Sequence, residues 1–258
     1  MRIVRYQSEA GGPAAWGWLS ENKVGVLEGT PFAPFRRTEA VIPIEQVQIL
    51  PPVEPGKIIC VGRNYAAHAK EHDAEIPKWP LLFLKAPSSV IGPNETIYLP
   101  PQSKQVEHEA ELAVVIKQSG RWLAPEEAPE YILGYTAAND VTARDLQRID
   151  GQWTRAKGFD TFCPLGPWIE TDLDTADTMI MCKVNGQMRQ MASTKDMIFP
   201  VDRLIAFISS IMTLKPGDLI LTGTPSGVSP LSDGDEVAVE IEGIGTLTNP
   251  VEKEPSRS

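Results

Sequence analysis

The chain has 258 residues, 42% of them hydrophobic and 22% charged, which is the composition of an ordinary globular protein. A net charge of −10 and a pI of about 4.9 make nucleic acid and anionic membranes poor partners. The length supports a sizeable core, so folding requires no disulfide or metal staple, and no apolar run approaches the roughly 18 residues of a membrane span.

The opening residues, Met1-Arg2-Ile3-Val4-Arg5-Tyr6, lack the apolar segment of a secretory signal. Ile3 to Tyr6, Trp16 to Leu19 and Lys23 to Leu27 read as short strands joined by turns. Proline then becomes dense, at Pro31, Pro34, Pro43, Pro51, Pro52 and Pro55, which breaks regular elements and suits a boundary. This shift divides the chain into a small N-terminal β unit, residues 1–52, and a larger unit, residues 53–258. Lys57 to Val61 is a strand, Asn64 to about Asp73 a short helix with Asn64 at its N-cap, and Leu81 to Lys85 another strand. Val106 to Ile116 is the most strand-like run. Tyr131 to Ala138 follows, and then a helix from about Val141 to Ile149. Met179 to Val184, Asn185-Gly186 and Gln187 to Met191 spell a hairpin on a type I′ turn. Pro200 to about Leu214 is an amphipathic helix. Leu219 to Thr222 and a final hairpin, Glu236 to Ile241 with Gly245 to Leu247, complete a β-rich α+β chain with few helices.

Three scattered cysteines, Cys60, Cys163 and Cys182, contain no CxxC pair. They suit buried thiols in a reducing compartment, and the protein is expected to be cytoplasmic.

The sharpest chemical signal is Val106-Glu107-His108-Glu109-Ala110-Glu111-Leu112. Strand alternation puts Glu107, Glu109 and Glu111 on one face and Val106, His108, Ala110 and Leu112 on the other. Carboxylates alone select a hard ion, Mg²⁺, Mn²⁺ or Ca²⁺, over zinc. A solvated strand face is the competing reading. Against it, the strand continues into Leu112-Ala113-Val114-Val115-Ile116, apolar on both faces. Asp140 ends the next strand and reads equally as a helix N-cap. Arg144 and Gln147 share a helix face beyond it and suit a carboxylate-bearing substrate.

His68 and Glu71 lie three apart on a helix, where a carboxylate fixes the imidazole tautomer and raises its basicity. The stretch His68 to His72 also matches HxxEH, a zinc-peptidase signature in which His68 and His72 bind metal and Glu71 is the base. A charged surface helix is the plain alternative. Lys157 alone reads as a surface lysine. Thr222-Gly223-Thr224-Pro225-Ser226-Gly227 is a turn whose N–H groups are placed to cradle a substrate carboxylate.

Six motifs occur in order: Cys60-Val61-Gly62-Arg63-Asn64-Tyr65-Ala66-Ala67-His68, Phe83-Leu84-Lys85, Glu109-Ala110-Glu111-Leu112, Asn139-Asp140-Val141-Thr142-Ala143-Arg144-Asp145, Ala156-Lys157-Gly158-Phe159-Asp160 and Thr222-Gly223-Thr224-Pro225. Together they resemble the fumarylacetoacetate hydrolase family over roughly residues 55 to 250. The resemblance implies a mixed β-sandwich roll, generally dimeric. It implies Glu109, Glu111 and Asp140 as ligands of Mg²⁺, with Mn²⁺ or Ca²⁺ as substitutes, and places Glu107 outside the ligand set. It implies His68 and Glu71 as a catalytic dyad, Lys157 as the active-site lysine, and Arg144, Gln147 and Thr224 against a 2-oxo acid. His72 receives no role.

The expected chemistry runs through an enolate. C–C bond hydrolysis or decarboxylation of a small 2-oxo dicarboxylate leads, with isomerase or tautomerase activity on 2-hydroxy-diene-dioates next. A zinc peptidase and a non-catalytic binding protein are the readings from other classes.

Overall fold

The computed structural model describes residues 1–71 and 75–255. Strand outweighs helix, 42% against 17%, so the β-rich α+β class holds. Among the described residues the main sheet has 13 strands. Its principal path runs Arg36–Arg37, Lys23–Glu28, Ala15–Ser20, Arg2–Gln7, Cys163–Glu170, Ile132–Asn139, Ala110–Ile116, Leu219–Leu221, Ile58–Gly62 and Leu81–Lys85. A second sheet orders Ile97–Leu99, Gly245–Lys253, Glu236–Ile241, Met179–Val184 and Gln187–Ser193. Most pairs are antiparallel, but Leu219–Leu221 runs parallel to Ile58–Gly62 and Ile97–Leu99 parallel to Gly245–Lys253. The sheets are therefore mixed.

The apolar runs follow from burial on both faces. Ile58 and Cys60 enter one core with Ala113, Val115, Leu165 and Leu221. Ile59 and Val61 enter another with Val114, Ile116 and Ile220. Helix α4, Val201–Ile211, closes this second core through Leu204, Ile205 and Ile208; Leu204→Ala would cost about 2–5 kcal/mol. A third core lies between the sheets, where Leu112 and Ala137 meet Ile180, Cys182, Val239 and Leu247. The N-terminal strands extend the main sheet, because Arg2–Gln7 pairs with both Ala15–Ser20 and Cys163–Glu170. No helix among the described residues is long and apolar enough to cross a membrane.

The hairpin forms as its sequence dictates, with Asn185 at φ 51° and Gly186 at φ 75°. Elsewhere tertiary contacts override local signals. The run from Val106 divides into Val106–Glu107 and Ala110–Ile116. Cys163–Glu170 is a central strand with two prolines, Pro164 and Pro167, residues that normally argue against such a position. Helix α1 covers only Ala66–Glu71 among the described residues, and Asn64 does not cap it. Asn64 instead accepts from Phe199 N and donates to Thr222 O and Phe199 O. Asp140 is not a cap either, since α2 spans Arg144–Asp150 and begins after Ala143.

Candidate active site

Register brings the acidic residues together. Ala110–Ile116 pairs antiparallel with Ile132–Asn139, with Ala110 opposite Asn139 and Glu111 opposite Ala138. The start of one strand thus meets the end of the other. Asp140 N donates to Glu109 O at 2.8 Å, and Glu109 N to Asn139 Oδ1 at 2.9 Å. One carboxylate oxygen from each of Glu109, Glu111 and Asp140 lies within 4.8 Å of the others. All three are buried, which removes the solvated-face reading.

Cations surround the cluster. Lys157, at the end of helix α3 (Thr154–Lys157), donates to Glu109 Oε2 at 2.8 Å and Asp140 Oδ2 at 2.6 Å. Its side chain is 1% exposed, so it is no surface lysine. Lys85 donates to Asp140 Oδ1 at 2.7 Å. Arg144 spans the acidic strand: Nε donates to Glu107 Oε2 at 2.7 Å, Nη2 to Glu109 Oε1, and Nη1 to Gln147 Oε1 at 2.6 Å. Glu107 is therefore a partner of Arg144, one step outside the cluster.

Glu111 differs. Its Oε2 accepts from Gly223 N at 2.6 Å, and no cationic side chain among the described residues pairs with it. Burial first, then Asp140 and Glu109, push its carboxyl well above the usual range. Burial acts the same way on Glu109, but Lys157 and Arg144 outweigh it and hold that carboxyl below the usual range. Four buried carboxylates (Glu107, Glu109, Glu111, Asp140) face three buried cations (Lys85, Arg144, Lys157). One negative charge is left without a counter-charge at Glu111. A buried, all-oxygen donor set with an excess negative charge fits a hard divalent cation.

The rest of the site closes around this floor. His68 is buried, and its Nδ1 lies 3.1 Å from Glu71 Oε2. Glu71 also accepts from Gly227 N at 3.0 Å, which ties α1 to the loop after Leu221. That loop's amides serve the protein's own acids: Gly223 N–H holds Glu111 and Gly227 N–H holds Glu71. These two are thus committed, where the sequence suggested a cradle for substrate. Gly223 has φ +99°, and a Cβ there would lie 2.7 Å from Asn64 Cβ; only glycine fits. His72 lies outside the described residues.

Thr224 donates to Ala110 O at 2.9 Å and accepts from Gln190 Nε2 at 2.8 Å. Gln190 is buried, and its Nε2 also donates to Pro225 O at 2.7 Å. Its Oε1 must then accept, from Ala110 N at 3.0 Å and from His108 Nδ1 at 2.9 Å. His108 is therefore the Nδ1–H tautomer, with Nε2 accepting from Ser229 Oγ at 2.8 Å. Burial lowers its pKa and keeps it neutral. Burial also pushes the neighbouring Cys182 thiol up to about 12, which makes it inert.

A cleft of ≈ 220 Å³ opens over the floor and reaches all the expected site residues except Glu71, which lies behind His68. Sequence reasoning missed Lys85, His108 and Gln190 as parts of the site. Lys85 stood in a quoted motif, and a charge closing an apolar strand was its signal. A glutamine in a solvent-facing hairpin strand gave no signal, because only the strand's approach to the loop at Thr224 buries it.

This fold and this site define the chain's class: it belongs to the fumarylacetoacetate hydrolase family, whose C-terminal model matches residues 57–252. A second model, Rv2993c-like, N-terminal, matches residues 1–52. More particularly, the chain is 46% identical over 223 residues to the mitochondrial oxaloacetate tautomerase Fahd2a of Rattus norvegicus, covering 82% of this chain and 71% of that one. It superposes with a TM-score of 0.91 on a 2-hydroxyhepta-2,4-diene-1,7-dioate isomerase from Mycobacterium marinum, at 44% identity over 99% of this chain and 100% of that one. A maleylpyruvate hydrolase from Sphingobium sp. SYK-6, solved with manganese(II) and pyruvate, superposes at 0.81 with 30% identity over 99% and 100%.

Proposed function

We propose that the protein is a divalent-cation-dependent enzyme that enolises a small 2-oxo carboxylic or dicarboxylic acid. Mg²⁺ is the physiological choice, with Mn²⁺ and Ca²⁺ as substitutes, and Glu109, Glu111 and Asp140 are the ligands. The observation that carries the reading is the buried carboxylate cluster with one uncompensated charge, at the foot of a cleft that also holds His68. A cation bound there supplies Lewis acidity that stabilises negative charge on the substrate's oxygen.

The chain's own groups do the rest. Arg144 and Gln147 present N–H donors for the substrate carboxylate. The Lys157 ammonium stands between Glu109 and Asp140, placed to meet negative charge as it develops. In the tautomer that donates Nδ1–H to Glu71, the Nε2 of His68 is the basic nitrogen and moves the proton. Thr224 and Phe83 shape the cleft around the reacting carbons.

Hydrolysis or decarboxylation headed the expectations from sequence. Relatives at 46% and 44% identity are named a tautomerase and an isomerase, and others at 37% and 30% are named hydrolases, which supports placing proton transfer first. Proton transfer is therefore the primary reading. Hydrolysis is the second, because the same His68–Glu71 pair can activate water. The reading includes a cytoplasmic homodimer; exposed Leu81 and Leu84 on the edge strand Leu81–Lys85 are apolar surface that a second copy would cover. The test is enol-to-keto conversion of oxaloacetate and isomerisation of 2-hydroxyhepta-2,4-diene-1,7-dioate, with and without EDTA and with Mg²⁺, Mn²⁺ or Zn²⁺ restored. Turnover that survives EDTA, or returns with Zn²⁺ alone, would overturn the proposal.

A further inference from the structure

The inner cations of the cleft are all ion-paired. Lys85 pairs with Asp140, Lys157 bridges Glu109 and Asp140, and Arg144 spans Glu107 and Glu109. Two further arginines line the same cleft, Arg63 and Arg148. Both are exposed, and neither forms an ion pair with a described residue. The hydrogen bond Arg148 makes is long, 3.3 Å to Gln105 Oε1. Acids outnumber bases 34 to 24 in this chain, so the lack of an ion pair with any described residue does not come from a want of acids.

Their placement is directional. Arg144 and Arg148 are i and i+4 on α2, hence on one face and about 6 Å apart along its axis. Arg144 touches the floor, and Arg148 lies one turn away at the mouth. Arg63 leads out of the strand Ile58–Gly62 with φ 57°, an uncommon conformation for a side-chain-bearing residue. Between floor and rim runs an aromatic wall. Lys157 Nζ lies 4.9 Å from the Phe83 ring centre, and Phe83 meets Trp153 edge-on at 5.0 Å and 70°. Trp153 in turn covers Gly62: a Cβ there would lie 2.9 Å from Trp153 Cζ3. The wall thus extends from the Lys157 ammonium to the residue before Arg63.

The cleft therefore presents, in order, an ionic floor, a flat apolar wall and a rim of two guanidiniums that have no ion pair among the described residues. We propose that Arg63 and Arg148 form a subsite for a second carboxylate, at the far end of a substrate whose 2-oxo acid head lies on the floor and whose carbon chain lies against Phe83 and Trp153. The proposal rests on the 2-oxo acid reading of the floor. It makes Arg63 and Arg148 the residues that discriminate extended dicarboxylates from monocarboxylates of the same length. Oxaloacetate, with its carboxylates close together, would engage the floor without reaching the rim.

The test compares 2-oxoadipate with 2-oxohexanoate, matched in length and differing in the terminal carboxylate. Binding is measured by calorimetry with Mg²⁺ present, for the wild type, Arg148→Met, Arg63→Met and the double variant. The wild type should prefer 2-oxoadipate. Each single variant should weaken 2-oxoadipate by about tenfold, the scale of a lost charge-assisted hydrogen bond, and leave 2-oxohexanoate within about twofold. Arg148→Lys should recover part of the loss. In turnover, KM for 2-hydroxyhepta-2,4-diene-1,7-dioate should rise while kcat and oxaloacetate kinetics hold. Equal weakening of both probes, or of neither, overturns the subsite and leaves the floor reading intact. A wild type that binds neither probe overturns both.

Discussion

The floor of the site and the helix that carries its base are built in opposite ways. Glu109 and Asp140 are fixed by strand register and by cations on every side, and both are buried in the main sheet. His68 rides on six-residue α1, outside the sheet, held through Glu71 to Gly227 and through the neighbouring bridge of Tyr65 with Met197. Charge on the floor is thus bound up with folding, whereas the base can be altered with little structural consequence. Within the floor the same contrast recurs between Glu109, doubly paired with cations, and Glu111, paired with none among the described residues.

The largest expected effect breaks that inner contrast. Glu109→Ala leaves the Arg144 and Lys157 charges short of a partner and should destabilise the protein by about 3–5 kcal/mol as well as abolish metal binding. Glu111→Gln removes an uncompensated charge while the amide keeps the bond to Gly223 N–H. It should abolish metal binding with a stability change below about 1 kcal/mol. Denaturant unfolding and metal titration on both variants decide the matter; equal stability losses would refute the charge count.

His68→Ala should keep metal binding and unfolding midpoint and lower turnover by about 10²–10⁴-fold, as expected for a lost general base. A variant that retains wild-type rate removes His68 from the mechanism. Lys157→Met should also lose turnover, but with tighter metal binding, because Glu109 and Asp140 each lose a competing cation. Weaker metal binding would show that Lys157 organises the ligands instead.

A smaller effect concerns pH. The raised pKa of Glu111 means that the folded, metal-free protein holds this proton to a higher pH than the unfolded chain does. Ionising Glu111 therefore costs stability progressively as pH rises from the ordinary carboxylate range through the raised value. Metal needs the ionised form, so apparent affinity should fall as pH drops through that value, and binding should release about one proton. Calorimetry in buffers of different ionisation enthalpy measures the release; none at any pH contradicts the assignment. The smallest effect is expected at Gln190. Gln190→Met removes the amide that Thr224 accepts from and should raise KM severalfold, with kcat little changed and metal binding intact.

Much of this protein was legible in order along the chain. Alternation named the strands, Asn185-Gly186 fixed a hairpin, and a carboxylate every second residue marked Glu107, Glu109 and Glu111 as one face. Motif order assigned Asp140, Lys157, His68 and Glu71 to one site, and every described member of that set lies at or beside the cleft. Such features are local, or repeat with the period of the backbone. What the sequence could not rank was the three glutamates. Their difference lies in partners brought from elsewhere: Arg144 to Glu107 and Glu109, Lys157 to Glu109, and a glycine amide to Glu111. The strand Cys163–Glu170 was equally hidden, because its prolines violate local preference and only neighbouring strands hold it in the sheet. Charge balance, burial and the two exposed arginines at the rim depend on which residues meet in space, and tertiary structure alone decides that.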